Sequence, residues 1–255
     1  MQKPLRELAG RVLILVAHAD DEAVAYGATL QRMSDPLLAI VTDSAPRDPY
    51  FWQQHGSREV YRQIRAAEAR KAAECSGVQH LFLLAEADEC LEDQHLFLHL
   101  AAAWNRLRLL VEQMRPESIA TLAYEGGHPD HDSCSLLAWR LGQRYSLPVW
   151  EAPVYTRDGY GDVLTQRFLR ETGGEVEVEI AAAELERKRA QCALYASQGE
   201  TLKIFDLQRE CLRPQAEYDY RRPPHEGRTN YEIWHWWMSA EQVCAKFREF
   251  MEAEV

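Results

Sequence analysis

The stretch Val12-Leu13-Ile14-Leu15-Val16-Ala17, running directly into His18-Ala19-Asp20-Asp21-Glu22, decides the fold. An apolar run without alternation suits a strand covered on both faces, as in the middle of a parallel sheet. The run is too short for a membrane span or a signal-peptide core. Open α/β sheets bind ligands at the carboxyl ends of their strands, so a His and three carboxylates arriving there form a placed cluster. No G-x-G-x-x-G follows the strand, which speaks against a dinucleotide pyrophosphate site. His18 and Asp21 are three apart and can point to one side of the strand-to-helix turn. Imidazole with carboxylate is a common pair of zinc ligands, and Asp20 lies between them as a free carboxylate. The competing reading is that the acids only cap a helix.

Similar apolar runs recur at residues 37–41, 81–84 and 119–123. Helical segments are expected between them at 22–33, 57–75, 91–114 and 132–145, the second with Val60, Ile64 and Ala67 as its apolar stripe. Strands alternating with helices imply right-handed βαβ units. After residue 149 the pattern changes. A strand at 149–155 is followed by short strands at 163–170 and 175–180, helices at 184–196 and 240–252, and a Pro-, Arg- and Tyr-rich loop at 213–231. The expected fold is α/β: a Rossmann-like, open, mostly parallel sheet with helices on both faces and a small C-terminal β/loop extension, in one domain over residues 1–255.

The chain has 255 residues and a formal charge of −11, with 46% hydrophobic and 27% charged residues, the proportions of a folded globular protein. The negative charge argues against nucleic acid, which needs clustered Lys and Arg, and against anionic lipid. Six scattered cysteines without CxxC spacing read as reduced thiols in a cytoplasmic protein. Composition leaves an enzyme, a binding module and a homo-oligomeric subunit all open.

The fourth apolar run leads into Tyr124-Glu125-Gly126-Gly127-His128-Pro129-Asp130-His131-Asp132. Two glycines permit backbone conformations closed to other residues, and Pro129 can start a helix. Taken alone, Asp130 or Asp132 could be a helix cap. In a doubly wound order, however, strands 1 and 4 flank the topological switch point, and the two clusters meet in one crevice. Three protein ligands with one open position is the arrangement of catalytic zinc, whereas structural zinc is closed by four.

These residues resemble the LmbE-like, or PIG-L, family of zinc-dependent N-acetyl-sugar deacetylases. Its A-H-P-D-D-E signature corresponds to Ala17-His18-Ala19-Asp20-Asp21-Glu22, and its H-P-D-H to His128-Pro129-Asp130-His131. Arg65-x-x-Glu68 is similar to the family's R-x-x-E, and Lys188 with Tyr195-Ala196-Ser197-Gln198 to its K…SQ segment. Thr42-Asp43-Ser44-Ala45-Pro46-Arg47, Asp93-Gln94 and Pro223-Pro224-His225 resemble loops of some members. Two departures stand out. Ala19 replaces a proline, and Ser44 replaces a glycine, so the loop after the second strand is expected to take a different path.

The resemblance implies zinc, or another divalent ion, bound by His18, Asp21 and His131, with Asp20 as acid/base. It further implies hydrolysis of an N-acetyl group on an amino sugar such as N-acetylglucosamine, releasing acetate and amine. A His128 imidazolium oriented by Asp130 would stabilise the oxyanion. Arg65 and Asp93 are candidates to hold sugar hydroxyls, and Arg47 to hold a charged group. Two alternatives stay open: a zinc amidohydrolase on a non-sugar amide, and a non-catalytic sugar- or nucleotide-binding domain that keeps the metal. His225, the His95/His99 pair and the cluster Trp234, Trp236 and Trp237 read as packing or surface groups rather than site residues.

Overall fold

The structure is a computed structural model that describes residues 3–157 and 161–253. Strand β1 (Arg11–Val16) is buried along all but its first residue and lies mid-sheet. It pairs in parallel with β2 (Asp35–Ile40) on one side and β4 (Ser118–Leu122) on the other. Beyond these lie β3 (His80–Leu83) and β5 (Val149–Ala152), also parallel. A pair β6 (Tyr155–Arg157) and β7 (Val163–Thr165) forms a separate antiparallel ribbon. Strands β8 (Val176–Glu177) and β9 (Cys211–Pro214) extend the main sheet, giving the order β3-β2-β1-β4-β5-β9-β8. The mostly parallel α/β fold is thus as expected, and β1 and β4 are neighbours at the point where the order reverses. The antiparallel strand β9, between β5 and β8, runs two residues into the stretch expected to be a loop.

The helices are α1 (Asp21–Tyr26), α2 (Arg58–Ser76), α3 (Leu100–Met114), α4 (Pro129–Tyr145), α5 (Ala182–Ala193), the short α6 (Asn230–Ile233) and α7 (Ala240–Glu252). Leu107, Trp104, Leu136, Leu141 and Phe247 bury fully among the strands' Val, Ile and Leu side chains in one contiguous apolar cluster. Each such side chain contributes about 1.5–3 kcal/mol relative to an exposed one.

Three helices depart from the sequence expectation, each for a polar reason. The helix expected over 22–33 stops at Tyr26. In a continuing helix the Ala28 amide would bond the Val24 carbonyl. Instead Lys188 Nζ donates to the Val24 oxygen at 2.9 Å, and Glu210 accepts from the Ala28 and Thr29 amides at 2.6 and 2.9 Å. Lys188 and Glu210 form an ion pair of 2.8 Å whose side chains are wholly buried.

The helix expected over 91–114 begins only at Leu100. Asp130 takes the amides of Gln94 and Leu96, at 2.6 and 3.1 Å, and Gln94 sits at φ +66°. On α2 the expected stripe is the wrong face. Val60 is 43% exposed, while Tyr61, Arg65, Glu68 and Ala69 are buried.

Replacing Lys188 by Met should cost about 3–5 kcal/mol in urea unfolding, because Glu210 is left buried without its cation. The double variant Lys188→Met/Glu210→Gln should recover part of that loss. Equal losses in the single and double variants would show that the ion pair does not set the end of α1.

Candidate metal centre at the sheet switch point

The carboxyl end of β1 and the loop after β4 converge as the strand order requires. His18 and Asp21 meet His131, with ligand atoms of all three within 4.8 Å of one another. Asp21 Oδ1 lies 3.2 Å from His131 Nε2, and Asp21 Oδ2 lies 3.6 Å from His18 Nδ1. A second group, His18, Asp93, His128 and Asp130, shares His18 with the first. Both groups are buried.

Hydrogen bonding separates the two groups. Asp130 accepts from two backbone amides and also lies 3.2 Å from His18 Nε2, so its oxygens are largely engaged within the protein. That leaves His18 Nδ1 facing Asp21, with Asp130 orienting the ring from its other nitrogen. A carboxylate on the far nitrogen is the usual support of a metal-binding imidazole. The three residues His18, Asp21 and His131 therefore fit a divalent ion as a His₂Asp set. Burial alone would raise the Asp21 carboxyl, but His131 and His18 hold it well below the usual range. For His18, burial opposes charge and the surrounding Asp93, Asp130 and Asp21 outweigh it, so its pKa is raised.

Asp130 corrects one expectation. It was expected to orient a charged His128, yet the nearest carboxylate approach to His128 Nδ1 is 3.8 Å. The Asp130 backbone amide donates to that nitrogen at 3.1 Å, which assigns the ring hydrogen to Nε2. Burial, followed by the neighbouring His18, pushes the His128 pKa down. The ring is a neutral donor rather than an imidazolium.

Asp20 stands next to the ligands and belongs to neither group. Its backbone is at φ +112°, which few non-glycine residues adopt. Burial pushes its carboxyl up to about 6, against the pull of Arg65. Arg65, expected to hold sugar hydroxyls, is instead committed within the protein. Its guanidinium donates to Asp20 Oδ2 at 3.0 Å, to the Ala19 carbonyl, and to Ser44 O at 3.3 Å. Arg47 does not reach the cleft; it is exposed and bonds Glu92 at 2.7 Å. Asp93 does line the cleft, with Oδ1 3.4 Å from His18 and 3.5 Å from His128.

The two departures from the resembled signature are one hydrogen bond. The amide that a proline would lack, Ala19 N–H, donates to the hydroxyl that a glycine would lack, Ser44 Oγ, at 2.9 Å. Ser44 keeps the left-handed backbone that suits glycine, at φ +55°. The left-handed backbone at Ser44 places its hydroxyl under the Ala19 amide.

The loop after β4 bends at Gly126, φ +70°. A Cβ on Gly127 would meet the Tyr155 carbonyl at 1.9 Å, so backbones touch there. Asp132 Oδ1 holds the bend by accepting from the amides of Glu125 and Gly126.

Sequence reasoning passed over several groups in the cleft. Tyr155 packs 5.4 Å from His131 and Trp236 packs 4.9 Å from His128, centroid to centroid. Trp234 and Trp236 line the cleft, whereas Trp237 stacks on His95 and Phe97. The position of Tyr155, just past a strand adjoining the switch point, was the available signal. His225 lines a different cavity, and His95 and His99 join no metal-type group among the described residues.

A buried His/Asp cluster at the switch point of an open α/β sheet defines the class: an enzyme-like fold with a metal-type centre. The sequence profile of the PIG-L family, GlcNAc-PI de-N-acetylase, matches residues 13–141, about half of the chain. The chain belongs to this family. It is 29% identical over 149 residues to the probable N-acetyl-alpha-D-glucosaminyl L-malate deacetylase 2 of Bacillus cereus, covering 56% of this chain and 64% of that protein. The chain thus spans slightly less than two thirds of that relative's length. An antimicrobial-reagent pseudoaglycone deacetylase shares the fold at TM-score 0.62 and 18% identity, over 82% of this chain and 98% of that one. So does the 4-carboxy-2-hydroxymuconate hydratase of Pseudomonas putida, at TM-score 0.52 and 14% identity, over 82% and 96%.

Replacing Ser44 by Gly should destabilise the protein by about 1–2 kcal/mol, since it orphans a buried amide. Adding Ala19→Pro should restore most of that, because the orphan donor disappears. Strictly additive losses in a denaturant-melt double-mutant cycle would refute the compensation.

Proposed function

We propose that the protein hydrolyses the acetamide of an N-acetylated amino sugar, using a divalent metal, zinc, held by His18, Asp21 and His131. The observation that carries this reading is the meeting of those three ligands beside a carboxylate, Asp20, that joins neither ligand group. Family membership and the deacetylases among its relatives support the same reaction.

Zinc bound there would acidify a water toward a pKa of about 7 and polarise the amide carbonyl. Asp20 is placed to accept a proton from the attacking water and to return it to the departing amine. Arg65 fixes the Asp20 carboxylate through a 3.0 Å bond, and the Asp20 amide donates to Glu22 Oε2 at 3.1 Å. His128 presents its Nε2 hydrogen to the developing oxyanion as a neutral donor. Asp130 keeps the His18 ring in place. Tyr155 and Trp236 shield the two loop histidines from bulk water.

No helix among the described residues is long and apolar enough to cross a membrane. Six free cysteines support a reducing compartment, and we place the protein in the cytoplasm.

Acetate release from N-acetylated amino sugars, with metal content measured alongside, tests the roles. Asp20→Asn should keep the metal and lose at least about 100-fold in turnover. His128→Ala should lose about 100–1000-fold, as for other oxyanion donors. His131→Ala should lose the metal itself. Full turnover in Asp20→Asn removes that residue from the reaction, and full metal occupancy in His131→Ala overturns the ligand set.

A further inference from the structure

Building on the proposed deacetylase reading, we infer that the group attached to the amino sugar is neutral and apolar, an aryl or alkyl aglycone, rather than a carboxylate such as malate. Two independent features of the cleft, its wall and its charges, lead there.

The first is the wall. The cleft has a volume of about 220 Å³. Four rings line one wall: Trp236 beside His128, Trp234 at 5.4 Å from Trp236, Tyr155 beside His131 and 6.1 Å from Trp234, and Phe205 at 6.4 Å from Tyr155. The wall is open to solvent at Trp234, 46% exposed, and Ile204, 54% exposed, although both line the cleft. A sugar placed with its acetamide near His18 and His131 occupies the inner end. The exposed outer rings then face whatever the sugar carries. Large apolar surfaces left in water at a cleft mouth mark a binding surface, and flat rings suit aryl and alkyl groups.

The second is charge. Asp20, Asp21 and Asp93 all line the cleft, and its one Arg or Lys among the described residues is Arg65. Arg65 is 2% exposed and bonded to Asp20, Ala19, Ser44 and Ser197. Three cations on segments that border the cleft in sequence have partners of their own. Arg47 bonds Glu92, Lys203 pairs with Glu200 at 2.6 Å, and Arg157 donates to Asn230 at 2.9 Å. A carboxylate carried at the exposed rings would meet apolar surface instead of a bidentate Arg, the group that recognises carboxylates best. The malate named for the Bacillus cereus relative is such an anion.

The test separates binding from catalysis. Phenyl glucoside and octyl glucoside below its micelle concentration carry no amide to hydrolyse. Titrated against intrinsic tryptophan fluorescence, each should bind at least about tenfold tighter than methyl glucoside, and a malyl glucoside no tighter than methyl. In Trp234→Ala/Ile204→Ala, both exposed positions, the phenyl and octyl preference should shrink to within about threefold, with the circular dichroism spectrum unchanged. A malyl glucoside that binds tighter than phenyl overturns the inference, as does a preference untouched by the double variant. Acetate release from the matching N-acetylglucosaminides should follow the same order. The binding order without any acetate release would sink the deacetylase reading and leave the apolar subsite standing.

Discussion

Everything at the centre depends on one buried cation. Arg65, on α2, reaches across to a carboxylate after the end of β1 and holds it beside the His18, Asp21 and His131 group. Asp20 sits in a backbone region that costs of order 1–3 kcal/mol for a residue with a Cβ. Such a conformation persists only when its surroundings over-determine it. Here they do: the Arg65 guanidinium holds the side chain, Glu22 accepts the Asp20 amide, and Ser44 accepts the amide of Ala19 just before it. Bonded to Arg65, the Asp20 carboxylate joins neither ligand-type group. Two adjacent aspartates can then take different positions, one among the ligand atoms and one apart from them.

A buried guanidinium must itself be satisfied, and the demand spreads outward. Glu68 lies 3.5 Å from Arg65 and accepts from the Ser197 hydroxyl and amide at 2.6 and 2.8 Å. Glu22 accepts from the Tyr195 hydroxyl at 2.6 Å and from Gln191 at 3.1 Å. Burial pushes the Glu22 carboxyl up to about 7, so these donors matter to its ionised form. One turn earlier on α5, Lys188 pairs with Glu210, and the two end α1. Helices α2 and α5 thus cover the site with paired polar groups where other surfaces of the sheet use Leu and Val. A half-satisfied network of this kind would be worse than an apolar interface.

That trade explains what the sequence showed and what it concealed. The strands were legible because burial on both faces leaves unbroken apolar runs at β1, β2 and β4, and the two His/Asp clusters were legible because each follows such a run. The buried face of α2 was not. A rule that looks for apolar residues at helical spacing selects Val60, Ile64 and Ala67 and passes over Arg65 and Glu68, because it assumes that charge points outward. The premature ends of α1 and the late start of α3 were hidden for a related reason. Their amides are captured by Glu210 and Asp130, residues more than 30 positions away in sequence. The neutral state of His128 was equally out of reach, since it follows from which atom of Asp130 faces the ring.

The scaffold alone does not choose the chemistry, as a hydratase on the same fold makes plain. Ligand residues do not choose it alone either, because His₂Asp binds an ion whether or not a reaction follows. What a hydrolase needs in addition is a proton carrier that can neither bind the metal nor drift from it. The pairing of Ala19 with Ser44 bears on that requirement. A proline and a glycine would shape this turn by covalent restriction and by backbone freedom. This chain fixes the turn with an amide donating to a hydroxyl, and the left-handed backbone of Ser44 places that hydroxyl. Two changes that look like erosion of a motif, taken one at a time, together form a bond that ties down the backbone just before Asp20.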